Sequence, residues 1–317
     1  MLCSSSSYGI VKHRNLQRAT EGARATLRSD NNEGKNRLQS EIQAQAHAVP
    51  PPSEPPHPRV HKHVGFASRF LPGERDITVY LPPGYDEARH RHYPLLILQD
   101  GQNLFDPETS FIRGRTWRVA ESADDAIVAG EAEPLVIAGV ANAGERRLAE
   151  YTPVRDWKLG GGEASHYAEM VTRELLPFLH ARYRLRAGAG ETGIGGSSLG
   201  GLVSLWMGLM HPEVFGKLAV LSPSVWWSHR YITGFVNDMA PNLRRHPRIW
   251  LDVGDQEGRR TLADAELLDE RLLAHGWRKG GDLHFEKVAG GTHDEASWAE
   301  RVRPMLRFLF PAREAGN

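Results

Sequence analysis

At 317 residues the chain is long enough for one large domain or two small ones, and its 39 basic and 39 acidic residues cancel. That balance leaves no basic surplus for a nucleic-acid partner. The single cysteine, Cys3, excludes an intrachain disulfide, and no apolar run reaches the ~18–20 residues that span a bilayer.

Residues 1–57 read as a polar extension with a proline cluster, Pro50-Pro51-Pro52 and Pro55-Pro56. Large apolar side chains are scarce there, so disorder is expected. Met1–Val11 lacks both the basic start and the apolar core of a signal peptide, so a cytoplasmic location is expected. Residues 58–317 then form the folded domain.

Strands are expected at Val64–Phe70 and at Asp76–Leu81, the second closed by the turn Pro82-Pro83-Gly84. Tyr93–Leu98 is continuously apolar, as a strand buried on both faces requires. A helix at Trp117–Val128 and a buried strand at Pro134–Val140 follow. Over Glu163–Tyr183 the apolar residues Tyr167, Met170, Val171, Leu175, Leu176 and Leu179 recur at helical spacing. Next come a strand at Glu191–Ile194, a helix at Leu199–His211, and strands at Leu218–Ser222 and Arg248–Val253. Thr261–Trp277 reads as a helix capped by its threonine, Leu283–Val288 as a strand, and Glu295–Phe310 as the closing helix. This alternation predicts an α/β fold with a mostly parallel central sheet and helices on both faces.

Between the fifth strand and its helix lies Gly196-Ser197-Ser198-Leu199-Gly200, a G-x-S-x-G turn. Such a strand–turn–helix presents its middle residue, here Ser198, clear of the sheet. Glycines on either side remove Cβ atoms that would collide in so tight a turn. Ser197 fails as the central serine because its own frame ends in leucine.

A serine hydroxyl needs a base, and the base needs an orienting carboxylate. The order serine, acid, histidine is that of the α/β-hydrolases. Asp255 and Glu257 both lie in the loop after Arg248–Val253, and either could bond an imidazole. Glu257 is preferred because it sits further along and can turn back over the sheet edge. Asp252, inside the strand, reads as structural. Of the 15 histidines, His293 stands apart on a glycine-flanked loop before the last helix. His61, His63, His90, His92 and His246 fall in surface-like stretches, and His61-x-His63 lacks a third ligand, so no metal is expected. An oxyanion needs two N–H donors. Leu199 supplies one, and the turn Gly101-Gln102-Asn103 supplies the other through Gln102 or Asn103. No cofactor is required.

Further segments carry a resemblance: Asp100 to Asp106, Asn142 to Arg147 and on to Glu150-Tyr151-Thr152-Pro153, Ser222-Pro223-Ser224-Val225-Trp226-Trp227, and Gly291-Thr292-His293 to Trp298. Together with the serine turn they resemble the Putative esterase family of the α/β-hydrolase superfamily. That group holds the enterochelin, feruloyl and acetylxylan esterases, esterase D and the mycolyltransferases. The match runs over roughly residues 60–312. The resemblance implies a serine ester hydrolase with Ser198 as nucleophile and His293 as base. Its Gly-x-x-Glu loop supports Glu257 as the acid. The Tyr-Thr-Pro and Trp-Trp segments are closest to the siderophore-esterase branch, which implies a small-molecule ester such as a siderophore trilactone. Larger members of that branch have an N-terminal β domain where this chain has its polar extension. A carbohydrate esterase acting on feruloyl or acetyl-xylan groups, or an acyltransferase, would use the same site. The resemblance also places Asn142, Arg146, Arg147 and Tyr151 around the pocket, with Trp226 and Trp227 stacking on a ring or sugar.

Overall fold

The computed structural model describes residues 57–313. The expectation for the first 57 residues falls outside them except at His57, whose Nε2 lies 3.1 Å from Asp124 Oδ2.

The strands are β1 (Val60–Ala67), β2 (Glu74–Tyr80), β3 (Leu95–Gln99), β4 (Val136–Val140), β5 (Thr192–Ser197), β6 (Lys217–Leu221), β7 (Arg248–Gly254) and β8 (Leu283–Val288). They form one sheet in the order β1-β2-β4-β3-β5-β6-β7-β8. β2 pairs antiparallel with both β1 and β4, and the pairs from β4 through β8 are parallel. β3 and β4 are buried along their whole length, as their unbroken apolar runs require.

Alternate side chains of each strand feed two cores, one on each face of the sheet. Leu95 and Ile97 of β3 join the larger core and Leu96 and Leu98 the smaller. The helices are α1 (Val119–Val128), α2 (Arg147–Glu150), α3 (Ala164–Met170), α4 (Leu176–Arg182), α5 (Leu199–Met210), α6 (Trp227–Met239), α7 (Arg259–Ala274) and α8 (Glu295–Leu309). α3 to α7 pack into the larger core, and α1 and α8 into the smaller. Among the described residues no helix is long and apolar enough to cross a membrane.

Three expectations change in detail. The helix foreseen over Glu163–Tyr183 is α3 and α4 joined by a π-helical turn, Val171–Leu175. Pro177 has no N–H to donate into the preceding turn, and the wider turn absorbs that loss. Thr261 is not the cap of α7. Gly258, at φ 93°, starts the helix earlier, and Thr261 Oγ1 donates to Glu257 O at 2.9 Å. The helix then stops at Ala274, with Gly276 at φ 96° turning the chain. α6 was not foreseen at all. It opens with Ser228, His229 and Arg230 in left-handed conformation, which hides any helical start signal.

Candidate active site

β5 ends at Ser197, and Ser198 makes the turn into α5 at φ 56° and ψ −122°. A non-glycine residue in such a conformation costs about 1–3 kcal/mol and persists only where the surroundings enforce it. Here Ser198 N donates to Leu221 O at 3.0 Å, and Ser198 O accepts from Leu202 N at 3.0 Å. A Cβ on Gly196 would stand 2.9 Å from the Gln99 Cβ, so the turn closes only with glycine there. The loops after β6, β7 and β8 project from the same end of the parallel strands as Ser198. In open α/β sheets this is where ligands bind.

Glu257 and His293 meet across two of those loops, with Glu257 Oε2 2.7 Å from His293 Nδ1. A carboxylate can only accept, so Nδ1 is the donor in this bond. The Glu257 side chain is fully buried. Its Oε1 accepts from Ser222 Oγ at 2.6 Å and from Gly254 N at 2.7 Å. Burial alone would raise this carboxyl. Hydrogen bonds from His293, Ser222 and Gly254, with the charge of His293, outweigh it and hold Glu257 below the ordinary carboxylate value. Asp255 faces elsewhere: its Oδ1 accepts from Gly290 N at 2.9 Å and from Gln256 Nε2 at 2.8 Å, and it is exposed.

Arg301, on α8, binds both loops from beneath. It is 2% exposed. Its Nη1 donates to Ser222 Oγ and to Asp252 Oδ1, each at 2.8 Å. Its Nη2 donates to Thr292 O at 3.1 Å and to Ser297 Oγ at 2.8 Å, and lies 3.4 Å from Glu257 Oε1. Trp298 completes the support. Its indole donates to Ser222 Oγ at 3.1 Å, and its ring meets His293 edge-on with centroids 5.0 Å apart. Asp252 is thus the structural partner of a buried arginine.

The Ser198 hydroxyl is 3.1 Å from Ser224 Oγ. Leu199 opens α5, and as a first-turn amide its N–H has no acceptor within the helix. Gly101–Asn103 forms a single 3-10 turn after β3. There Asn103 N already donates to Asp100 O at 2.8 Å, and its side chain is held by Phe111 N at 2.9 Å and Glu295 Oε1 at 3.3 Å. Gln102 Oε1 accepts from Asn142 N at 3.1 Å. Burial raises the Glu295 carboxyl above its ordinary value.

Of the residues expected around the pocket, Arg147 forms a forked pair with Asp100 at 2.7 and 2.8 Å, stacked over Tyr151 at 5.2 Å. Asn142 Nδ2 adds a third bond to Asp100 at 2.6 Å. Arg146 pairs with Glu163. Tyr151 and Trp227 are buried, the latter donating its indole N–H to Val154 O at 2.9 Å. Trp226 is half-buried against Trp227. His63 Nε2 is 2.6 Å from the Tyr183 hydroxyl. Among the described residues no group of three or more His, Cys, Asp or Glu is placed to hold a metal ion.

Ser222, Ser224, Asp100 and Arg301, which bond to the candidate residues, were not singled out from the sequence. Arg301 left a trace, since it falls on the buried stripe Trp298, Val302 and Met305 of α8. A charge on such a stripe demands a partner.

The chain belongs to the Putative esterase family, whose model matches residues 68–309, and it is an ester-hydrolysing enzyme. It is 28% identical over 238 residues to the uncharacterized protein YbbA of Bacillus subtilis, covering 73% of this chain and 85% of that one. It is also 28% identical over 244 residues to the iron(III) salmochelin esterase of Escherichia coli, covering 73% of this chain but only 53% of that relative. The crystal structure of the BES protein from Bacillus cereus shares the fold, with a TM-score of 0.65, 21% identity, and coverage of 83% of this chain and 99% of that one.

Proposed function

We propose that this enzyme is a serine carboxylic-ester hydrolase working through Ser198, His293 and Glu257. The observation that carries the reading is the strained Ser198 turn at the end of β5, together with the bonded pair of buried Glu257 and part-buried His293 on the loops after β7 and β8 at the same end of the sheet. Ser198 Oγ attacks the ester carbonyl as His293 Nε2 takes its proton. Glu257 holds the imidazolium that results. The amides of Leu199 and Gln102 receive the oxyanion, each such donor being worth about 10²–10³ in kcat. His293 then protonates the departing alcohol, and water resolves the acyl-enzyme through the same histidine.

The proposed substrate is a siderophore trilactone or a similar small ester, on the similarity to a salmochelin esterase. Asn142, Arg146, Arg147 and Trp226 keep partial exposure and are the groups we assign to substrate contact. Tyr151 and Trp227 support them from the core.

A fluorophosphonate should label the protein, and Ser198→Ala should abolish labelling. A product-resolved panel then assigns the substrate, using a ferric tricatecholate trilactone, methyl ferulate, an acetylated xylo-oligosaccharide and a p-nitrophenyl ester. Turnover of the trilactone above the others, lost in Ser198→Ala, is the expected outcome. Preference for ferulate or acetyl-xylan would replace the substrate assignment, and full activity in Ser198→Ala would overturn the mechanism.

A further inference from the structure

We infer that Ser224 is a further catalytic residue, whose hydroxyl donates to Ser198 Oγ whenever that oxygen carries developing charge. The inference rests on Ser198 being the nucleophile.

The two hydroxyl oxygens are 3.1 Å apart and both side chains are buried. Their separation is set by the main chain as well as by rotamers. Ser224 N donates to Ser198 O at 3.0 Å, and Ser224 O accepts from Trp227 N at 3.1 Å. The preceding Pro223 fixes its own φ, and Ser222, at φ 41°, turns the chain out of β6. One short loop therefore touches both ends of the catalytic machinery, with Ser222 on Glu257 and Ser224 on Ser198.

A hydroxyl has one proton to give and two lone pairs. If Ser198 donated to Ser224, its proton would be engaged away from the base. With Ser224 donating, the Ser198 proton is available to His293 Nε2. During attack the Ser198 O–H bond breaks, its proton passes to Nε2, and the Oγ–carbon bond forms. During deacylation the Oγ–carbon bond breaks and the proton returns from Nε2 to Oγ. In both transition states Oγ is more negative than in the hydroxyl or the ester that precedes it. A donor fixed beside it therefore strengthens as the barrier is climbed, which is the condition for raising kcat rather than tightening binding.

The test compares Ser224→Ala and Ser224→Cys with the unaltered protein and with Ser198→Ala. It reads the second-order rate of fluorophosphonate labelling, kcat and KM on a p-nitrophenyl ester, and the thermal midpoint. Ser224→Ala should slow labelling and lower kcat about tenfold, the scale of one neutral hydrogen bond. KM and the midpoint should stay near their original values, and the weaker thiol donor of Ser224→Cys should fall between. Labelling of Ser224→Ala at the unaltered rate would overturn the role. So would a loss that follows a lowered midpoint with cysteine no better than alanine. If the unaltered protein is not labelled at Ser198, the nucleophile reading falls and this one with it; failure confined to Ser224→Ala leaves that reading standing.

Discussion

Glu257 and Asp255 stand two residues apart on one loop, and the fold gives them opposite surroundings. Glu257 is sealed beneath His293, while Asp255 faces solvent and holds the main chain at Gly290. Glu257→Gln should lower kcat by on the order of 10³–10⁴, because an amide no longer fixes the tautomer and charge of the imidazole. Asp255→Asn should change kcat by no more than a few-fold. Steady-state rates on one ester decide between the two carboxylates. Ser198 and His293 were singled out from motif and order alone. For the acid, Glu257 was preferred with Asp255 left open, because both loop positions offer the same chemistry and only the path of the chain separates them. Ser222 and Ser224 were less visible still. Serine is common in loops, and their contacts are with residues more than twenty positions distant in sequence.

Among the elements, the 3-10 turn after β3 and helix α8 do the most to shape the site. A Cβ on Gly101 would stand 2.5 Å from the Gly139 carbonyl carbon of β4, so this turn lies against the sheet with no room for a side chain. Gly101→Ala must shift the Gln102 amide. A kcat loss of about 10²-fold, with little change in KM, is expected from steady-state kinetics. Arg301 fastens α8 to the acid and histidine loops from a position where solvent cannot compensate its partners. Arg301→Met should destabilise the fold by about 3–5 kcal/mol, since Asp252 is left buried without its cation. Urea unfolding measures this, and adding Asp252→Asn should recover part of the loss. Strands β3 and β4 were readable because unbroken apolar runs have few other homes. α6 was not, because its start is left-handed and Gly234, Thr233 and Asn237 dilute the helical signal.

For the molecule as a whole, one sheet separates chemistry from support. The loops that carry Ser198, Glu257 and His293 leave one end of the strands, and Lys217 begins β6 at the other. Its ammonium donates to Leu309 O at 2.8 Å above the Phe310 ring, and burial depresses its pKa to about 8. The unfolded value is near 10.4, so between about pH 8 and 10.4 the unfolded chain binds more protons at this site than the folded one. This group's contribution to stability therefore rises with pH across that window. Lys217→Met should be most favourable, relative to the unaltered protein, at pH 7.5, and that advantage should shrink by pH 9.5. Paired urea titrations at the two values test it. The parallel arrangement of the later strands followed from the alternation of strand and helix in sequence. The position of β2, running against both its neighbours, did not, because it depends on pairing across the chain.

The strand order has a practical consequence for how this enzyme fails. His293 follows β8, which among the described residues pairs with β7 alone and buries only Leu283 fully. Edge strands open before central ones, at a free energy below that of global unfolding. Turnover should therefore fade at lower urea than the collapse of the central strands, with Ser198 still seated in its turn when His293 has drifted away. Warming or mild denaturant would then leave an intact-looking but silent protein that regains activity as soon as the last strand zips back.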